Sequence, residues 1–301
     1  MNVLIESNDN SLKKVSRGEI LNEYKSLPLV TKVIMNNQTK YIFKESYGIN
    51  TNIPIDQKLD EKNVKNHLIS LKSLTYQGLY CEKEKGWLRY FIVNDIAFRL
   101  IEDVTEEGGQ GSIWSASLVM SEYLHQNQNN YINKSCLELG AGCGLVSMIL
   151  NSFDSDVVAT EQPSCISYLK RNLELNQHLG INVDCQSLYW NKYEKESDCR
   201  KDEKYDVIVG CDVTYDPNLF EDILISIKNR LKYDDSYALL SHDNDSCPLS
   251  KLAEKNLYVL CEELNFVLEN LKIPETNNFY NKKVILWKLR LKSRNREFEF
   301  P

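Results

Sequence analysis

Asp212-Val-Thr-Tyr215 stands directly after a β-prone run, Tyr205-Asp-Val-Ile-Val-Gly-Cys211. A carboxylate and a phenol at the carboxyl end of a strand can orient a polar reactant, because open α/β sheets bind ligands there. The plainer alternative is that Asp212 caps a helix and Tyr215 is buried. A second stretch, Leu137-Glu-Leu-Gly-Ala-Gly-Cys-Gly-Leu145, places Gly140, Gly142 and Gly144 at alternate positions. The apolar run Ser135–Leu139 precedes it, and a helical pattern, Leu145–Leu150, follows at once. A turn without Cβ atoms lets the backbone approach a ligand closely, and the next helix offers unpaired N–H groups. The third glycine comes one residue earlier than in the dinucleotide pattern G-x-G-x-x-G. With Glu138 just before the glycines, that spacing points away from a pyrophosphate and toward an adenosine-type cofactor without phosphates. A glycine turn with no ligand is the alternative.

Two further positions belong with this turn. Glu161 directly follows the next β-prone run, Asp156-Val-Val-Ala-Thr160, where a carboxylate can accept hydrogen bonds from both hydroxyls of a ribose. Otherwise it is a solvated loop residue. Trp190, in Leu188-Tyr-Trp190 at the end of a third run, could pack on an adenine face, with Asp184 or Ser187 reading the amino group. The alternative is that Trp190 is simply core.

Positioning these residues requires alternating strands and helices. The pattern predicts a β-hairpin of Trp87–Val93 and Ile96–Ile101 around Asn94-Asp95, and a glycine-rich loop over 106–111. A helix follows over Ile113–Leu124, with Ser112 or Ser115 as its cap. Strand–helix pairs then run from Cys136 to Leu264, with strands ending at Leu139, Thr160, Ser187, Cys211 and Ser241, and a polar loop follows Ser241. Residues 265–271 and 283–291 read as an antiparallel pair at a sheet edge. The first 85 residues are polar, interrupted by Leu27–Ile34 and Tyr41–Phe43. They form an extension that reads as small and helical or strand-bearing, with low-order loop as the alternative over 1–20 and 45–60. The domain expected to carry the chemistry is 86–292, with 293–301 as a tail.

Composition bounds the rest. Of 301 residues, 42% are apolar and 26% charged, enough for a large core, and the formal net charge is −7. That balance argues against a broad nucleic-acid surface and suits a cationic, lysine-bearing protein as substrate. Nine cysteines without a Cys-x-x-Cys pair read as reduced thiols of a cytoplasmic protein, also compatible with the nucleus, and no metal site is expected. The amino terminus lacks signal-peptide features, and no apolar run is long enough to span a membrane.

Taken in order, Gly108-Gly-Gln-Gly-Ser-Ile-Trp114, Glu138–Gly144, Glu161, Leu188-x-Trp190 and Asp212-x-x-Tyr215 resemble the seven-β-strand methyltransferases. Within these the chain is most similar to methyltransferase family 16, the lysine methyltransferase-like group that includes the methyltransferase-like 21 proteins. The resemblance covers roughly residues 87–292. It implies an α/β Rossmann-like sheet of order 3-2-1-4-5-7-6 with strand seven antiparallel, and S-adenosylmethionine as cofactor. It further implies that Trp114 lies over the cofactor and that Asp212-x-x-Tyr215 shapes the methyl-acceptor pocket. Cys211 is counted on the cofactor side. The chain departs from the family where serines and glycines surround Trp114, and in His242-Asp-Asn-Asp245.

On this reading the chain is a monomeric protein-lysine N-methyltransferase. Glu161 holds the ribose, and Glu138 with the glycine turn holds the methionine part. Asp212 orients the entering amine, while Tyr215 and Trp114 line its pocket by cation–π contact. Two other readings stand beside it: methylation of a small molecule or nucleic acid, and a non-catalytic module that keeps the fold for interaction.

Overall fold

The computed structural model describes residues 111–190, 197–200, 202–232, 235–244, 250–275 and 282–292, together with the strands of the first 102 residues. The chain divides into two compact units, Met1–Ile101 and Glu102–Pro301. The division falls after the hairpin that the sequence grouped with the second domain.

In the first unit, β1 (Asn2–Glu6), β2 (Leu12–Ser16), β3 (Val30–Met35) and β4 (Gln38–Phe43) form an antiparallel sheet of order β2-β1-β3-β4. Of the two readings of residues 1–20, the strand-bearing one holds at β1 and β2. Five successive pairs, from Asn2–Ser16 to Glu6–Leu12, zip β1 to β2, and β3 covers the other side of β1. Residues 45–60 lie outside the described residues. A second sheet, β5 (Leu79–Cys81), β6 (Gly86–Val93) and β7 (Ile96–Glu102), contains the expected hairpin.

The second unit is built on seven strands. They are β8 (Ser135–Leu139), β9 (Asp156–Glu161), β10 (Asp184–Ser187), β11 (Val207–Cys211), β12 (Tyr237–Asp243), β13 (Phe266–Leu271) and β14 (Val284–Leu291). Their order is β10-β9-β8-β11-β12-β14-β13. Counted along the chain this is 3-2-1-4-5-7-6, and β14, the seventh, runs antiparallel to both neighbours, as expected. The other pairs are parallel. Parallel strands need covering on both faces, which explains their near-continuous apolar runs.

The covering helices are α1 (Ser115–Gln126), α2 (Leu145–Asn151), α3 (Ile166–Leu175), α4 (Phe220–Arg230) and α5 (Ser250–Glu263). In α4, Phe220, Ile223, Leu224 and Ile227 are fully buried at helical spacing. They join a core with Leu137, Ile208, Leu240 and Trp287, each inaccessible to solvent. Each such side chain contributes roughly 2–3 kcal/mol of apolar burial.

Two local expectations fail. The capping residue of α1 is Trp114, which makes no side-chain cap bond. Also, β12 runs on through His242 and Asp243 where a loop was expected. The reason is the antiparallel partner: His242 pairs with Ile285 and Asp243 with Val284, so non-local hydrogen bonds override a polar local sequence. Among the described residues no helix is long and apolar enough to cross a membrane, and no cluster of side chains could hold a metal.

Candidate active site

The sheet order reverses at β8, with β9 on one side and β11 on the other. A crevice at the carboxyl ends of these strands is the place such a sheet offers a ligand. The glycine turn closes β8 there. Gly140, Gly142 and Gly144 all take left-handed φ angles, of 61°, 53° and 79°. At two of them a side chain would also be crowded. A Cβ on Gly140 would sit 3.0 Å from Val213 Cγ1, and one on Gly144 would sit 2.7 Å from Leu169 Cδ1. The Ala141 N–H donates to the Thr160 carbonyl at 2.9 Å, and the Thr160 hydroxyl donates to the Glu138 carbonyl at 2.6 Å, lacing the turn to β9.

Glu161 ends β9 and is buried. Its Oε2 accepts from the Gly142 N–H at 3.0 Å and its Oε1 from the Gln162 N–H at 2.9 Å. Burial raises its pKa above the ordinary carboxylate value, and these two donors pull the other way. A carboxylate has about four acceptor sites, so each oxygen keeps one for a further donor such as a ribose hydroxyl. The residues present therefore fit an adenosine-type group: a turn bare of side chains, with a buried carboxylate fixed beside it. Trp190, half-buried, lies against the turn, because its ring would be 3.6 Å from a Cβ on Gly140. It also packs on the core, as the plainer reading of this indole has it.

Glu138 is placed differently from Glu161. Its Oε2 accepts from the Ser147 N–H at 2.8 Å and also from the Ser147 hydroxyl. It thus anchors the first turn of α2. Burial pushes its pKa to about 8, against the pull of both Ser147 bonds. Cys211 ends β11, and burial holds its thiol protonated, with the negative charge of Glu138 adding to the effect.

Two candidates for reading the adenine are corrected. Asp184 begins β10, at the amino end of the strand and so away from the crevice, and is exposed; its carboxylate accepts from the Cys185 N–H at 2.8 Å and the Gln186 side chain at 2.6 Å. The Ser187 hydroxyl donates to Asp198 Oδ2 at 2.7 Å. That bond, with the Asp198 N–H back to Ser187 Oγ at 3.1 Å, folds the charged loop onto the strand end.

On the other side of the turn, Asp212 takes a left-handed φ of 54° and is buried. Aspartate tolerates this region better than most residues, yet it is strained by about 1 kcal/mol or more. The end of β12 holds it. The Asp212 N–H donates to the Ser241 carbonyl at 2.8 Å, and Asp212 Oδ1 accepts from the Asp243 N–H at 2.9 Å. His242 Nδ1 lies 3.6 Å from the same oxygen and 3.1 Å from the Thr214 hydroxyl, with its ring stacked on Trp287. The helix-cap alternative for Asp212 fails, since Asp216 caps the short helical turn Pro217–Leu219. Tyr215 is 45% exposed and Trp114 42% exposed, so both aromatics stand open to solvent. Burial, then the charges of Asp216 and Glu161, raises the Tyr215 pKa and keeps it a neutral phenol.

The sequence missed three supports. Ser115 donates to Asp243 Oδ2, tying the start of α1 to the end of β12. Tyr168 donates to the Gly111 carbonyl at 2.7 Å, and the Cys143 thiol donates to the same oxygen at 3.3 Å, joining the loop before α1 to the glycine turn. Buried Glu102 accepts from the Ile113 N–H at 2.6 Å. Only the unfamiliar acids after the fifth strand of the seven hinted at the first. Residues 108–110 and Asp245 lie outside the described residues.

A family model described as lysine methyltransferase matches residues 93–250, more than half the chain. The histone-arginine methyltransferase METTL23 of Xenopus laevis is 30% identical over 119 residues, covering 38% of this chain and 49% of that protein. The protein N-lysine methyltransferase METTL21A of Xenopus tropicalis is 29% identical over 159 residues, covering 50% of this chain and 71% of that one. Among solved structures, an S-adenosylmethionine-dependent methyltransferase from Clostridium acetobutylicum aligns with a TM-score of 0.45 and 11% identity, over 61% of this chain and 94% of that one. The chain spans about half the length of the first curated relatives it matches.

Proposed function

The chain belongs to the lysine methyltransferase family, and from that premise we propose that it transfers a methyl group from S-adenosylmethionine to the side-chain amine of a lysine in a protein. The observation that carries this reading is Asp212, a buried carboxylate pinned in a strained turn, in the same Asp-x-x-Tyr stretch as the open phenol of Tyr215 and beside the glycine turn.

The bound cofactor would supply a methyl group on a sulfonium, ready for in-line displacement. Glu161 is the residue to hold its ribose, with Gly140, Gly142, Gly144 and Trp190 forming the bed. The acceptor must arrive as a neutral amine. A lysine has a reference pKa near 10.4, so freeing its lone pair at pH 7 costs roughly 4–5 kcal/mol. Desolvation between aromatic rings lowers that figure, because it disfavours the ammonium. Tyr215 and Trp114 are the residues assigned to such walls. The Asp212 carboxylate accepts an N–H of the entering amine and so aims its lone pair; its fixed position supplies orientation. Methylation of an arginine is the second reading, favoured by the similarity to METTL23. We place the reaction in a cytosolic or nuclear setting, carried out by a monomer. Cysteine usage supports the setting: seven of the nine cysteines are free thiols among the described residues.

The test separates the two halves of the site. Asp212→Ala should abolish tritium transfer from S-adenosylmethionine to lysate protein while calorimetric binding of S-adenosylhomocysteine stays within about twofold. Glu161→Ala should weaken that binding tenfold or more, since a hydrogen bond to a charged group contributes roughly 1.5–3 kcal/mol. Near wild-type transfer by Asp212→Ala would end this assignment.

A further inference from the structure

Methyl transfer on the reading above needs Asp212 and Trp114 set against one another. They come from different segments, the end of β11 and the start of α1. Asp243 touches both. Its backbone N–H donates to Asp212 Oδ1 at 2.9 Å, and its carboxylate accepts from the Ser115 hydroxyl, one residue from Trp114. A second bond reinforces the docking: Ser241 Oγ donates to the Ala116 carbonyl at 3.1 Å. Trp114 itself makes no side-chain cap bond, and the bond from the Ile113 N–H to Glu102 holds the other side of the helix start, so these ties are the ones that join it to β12. Asp243 is buried, and the antiparallel pair with Val284 fixes its backbone. The carboxylate is therefore held on a rigid strand, where small displacements are resisted.

We propose that Asp243 is a positioning residue for methyl transfer: through Ser115 it sets the start of α1, and with it Trp114, against the carboxylate of Asp212. This rests on the methyltransferase reading. Asp243 touches neither cofactor nor acceptor in this account. Its effect is transmitted through geometry, and misplacement of a reacting group by about 1 Å can lower a rate by up to a hundredfold.

The experiment is a double-mutant cycle in the full chain. Ser115→Ala and Asp243→Ala each leave the Asp243 N–H and its bond to Asp212 intact. Each should lower the initial rate of tritium incorporation into lysate protein, at saturating S-adenosylmethionine, by about tenfold. S-adenosylhomocysteine affinity should stay within about twofold of wild type. The double variant should be no slower than either single one, because both remove the same tie. Asp243→Asn keeps an oxygen for Ser115 and should recover the rate to within about threefold of wild type.

A second readout needs no turnover. The acrylamide quenching that disappears in Trp114→Phe reports the exposure of Trp114. That share should rise equally in both single variants and no further in the double, and it should stay at the wild-type level in Asp243→Asn. The proposal is overturned if the single losses multiply in the double variant, if neither single variant slows transfer, or if Asp243→Asn is as slow as Asp243→Ala. If the wild-type chain labels no protein, the enzyme reading fails and the quenching cycle alone decides the tie. Equal, non-additive rises then sustain it, and unchanged quenching overturns it.

Discussion

Replacing Glu138 with glutamine should change how folding stability depends on pH. Glu138 is 2% exposed, and the two donors given to it both come from Ser147. Burial outweighs them and lifts the acid from 4.5 to about 8. The folded chain then keeps a proton that the unfolded chain releases above pH 4.5. Stability from this group is fully present below pH 4.5 and is lost as the pH rises through 8. The loss runs at about 1.4 kcal/mol per pH unit and reaches about 5 kcal/mol across the whole window. Glutamine keeps an oxygen for the Ser147 N–H and cannot ionise. The assay is urea unfolding of wild type and Glu138→Gln at intervals from pH 5 to 8.5. The glutamine variant should gain on wild type as pH rises, by roughly 3–4 kcal/mol over that range. A stability difference that stays constant with pH would instead mean that Glu138 ionises normally in the folded chain.

Other expectations follow from neighbouring contacts. Gly144→Ala should lower stability by roughly 2 kcal/mol or more, measured by thermal unfolding, since it combines a left-handed φ with a 2.7 Å contact to Leu169. Retained stability would show that α3 can yield. Burial pushes Cys136 and Cys261 to about 12, so iodoacetamide at pH 8 should leave both unmodified in the folded chain and alkylate them in urea, as read by peptide mass spectrometry. Alkylation of the folded chain at the rate seen in urea would contradict their burial.

Much of the second unit was legible because parallel strands announce themselves. Each is a short apolar run that stops at a residue with chemistry, and β8, β9, β11 and the β13–β14 pair fall where the pattern put them. The sheet order came from the resemblance, since spacing alone does not order strands. Glu161 and the glycine turn were readable because their spacing is local to one strand–turn–helix unit. What escaped was non-local. His242 and Asp243 look like loop residues until β14 is laid beside them. Ser187 looks available until Asp198 folds back onto it. Ser115 looks like a helix cap until Asp243 takes its hydroxyl. Each of these polar side chains has more than one possible partner in sequence, and only the fold selects one.

The proposed acceptor atom is a lysine amine presented to Asp212. Heavy-methyl S-adenosylmethionine should be incubated with the chain and a cell lysate, and the proteins digested and mapped by mass spectrometry. The account predicts heavy methyl groups on lysine Nζ atoms with wild type and none with Asp212→Ala. Label on arginine, in nucleic acid or in small molecules, with lysines unlabelled, would contradict it.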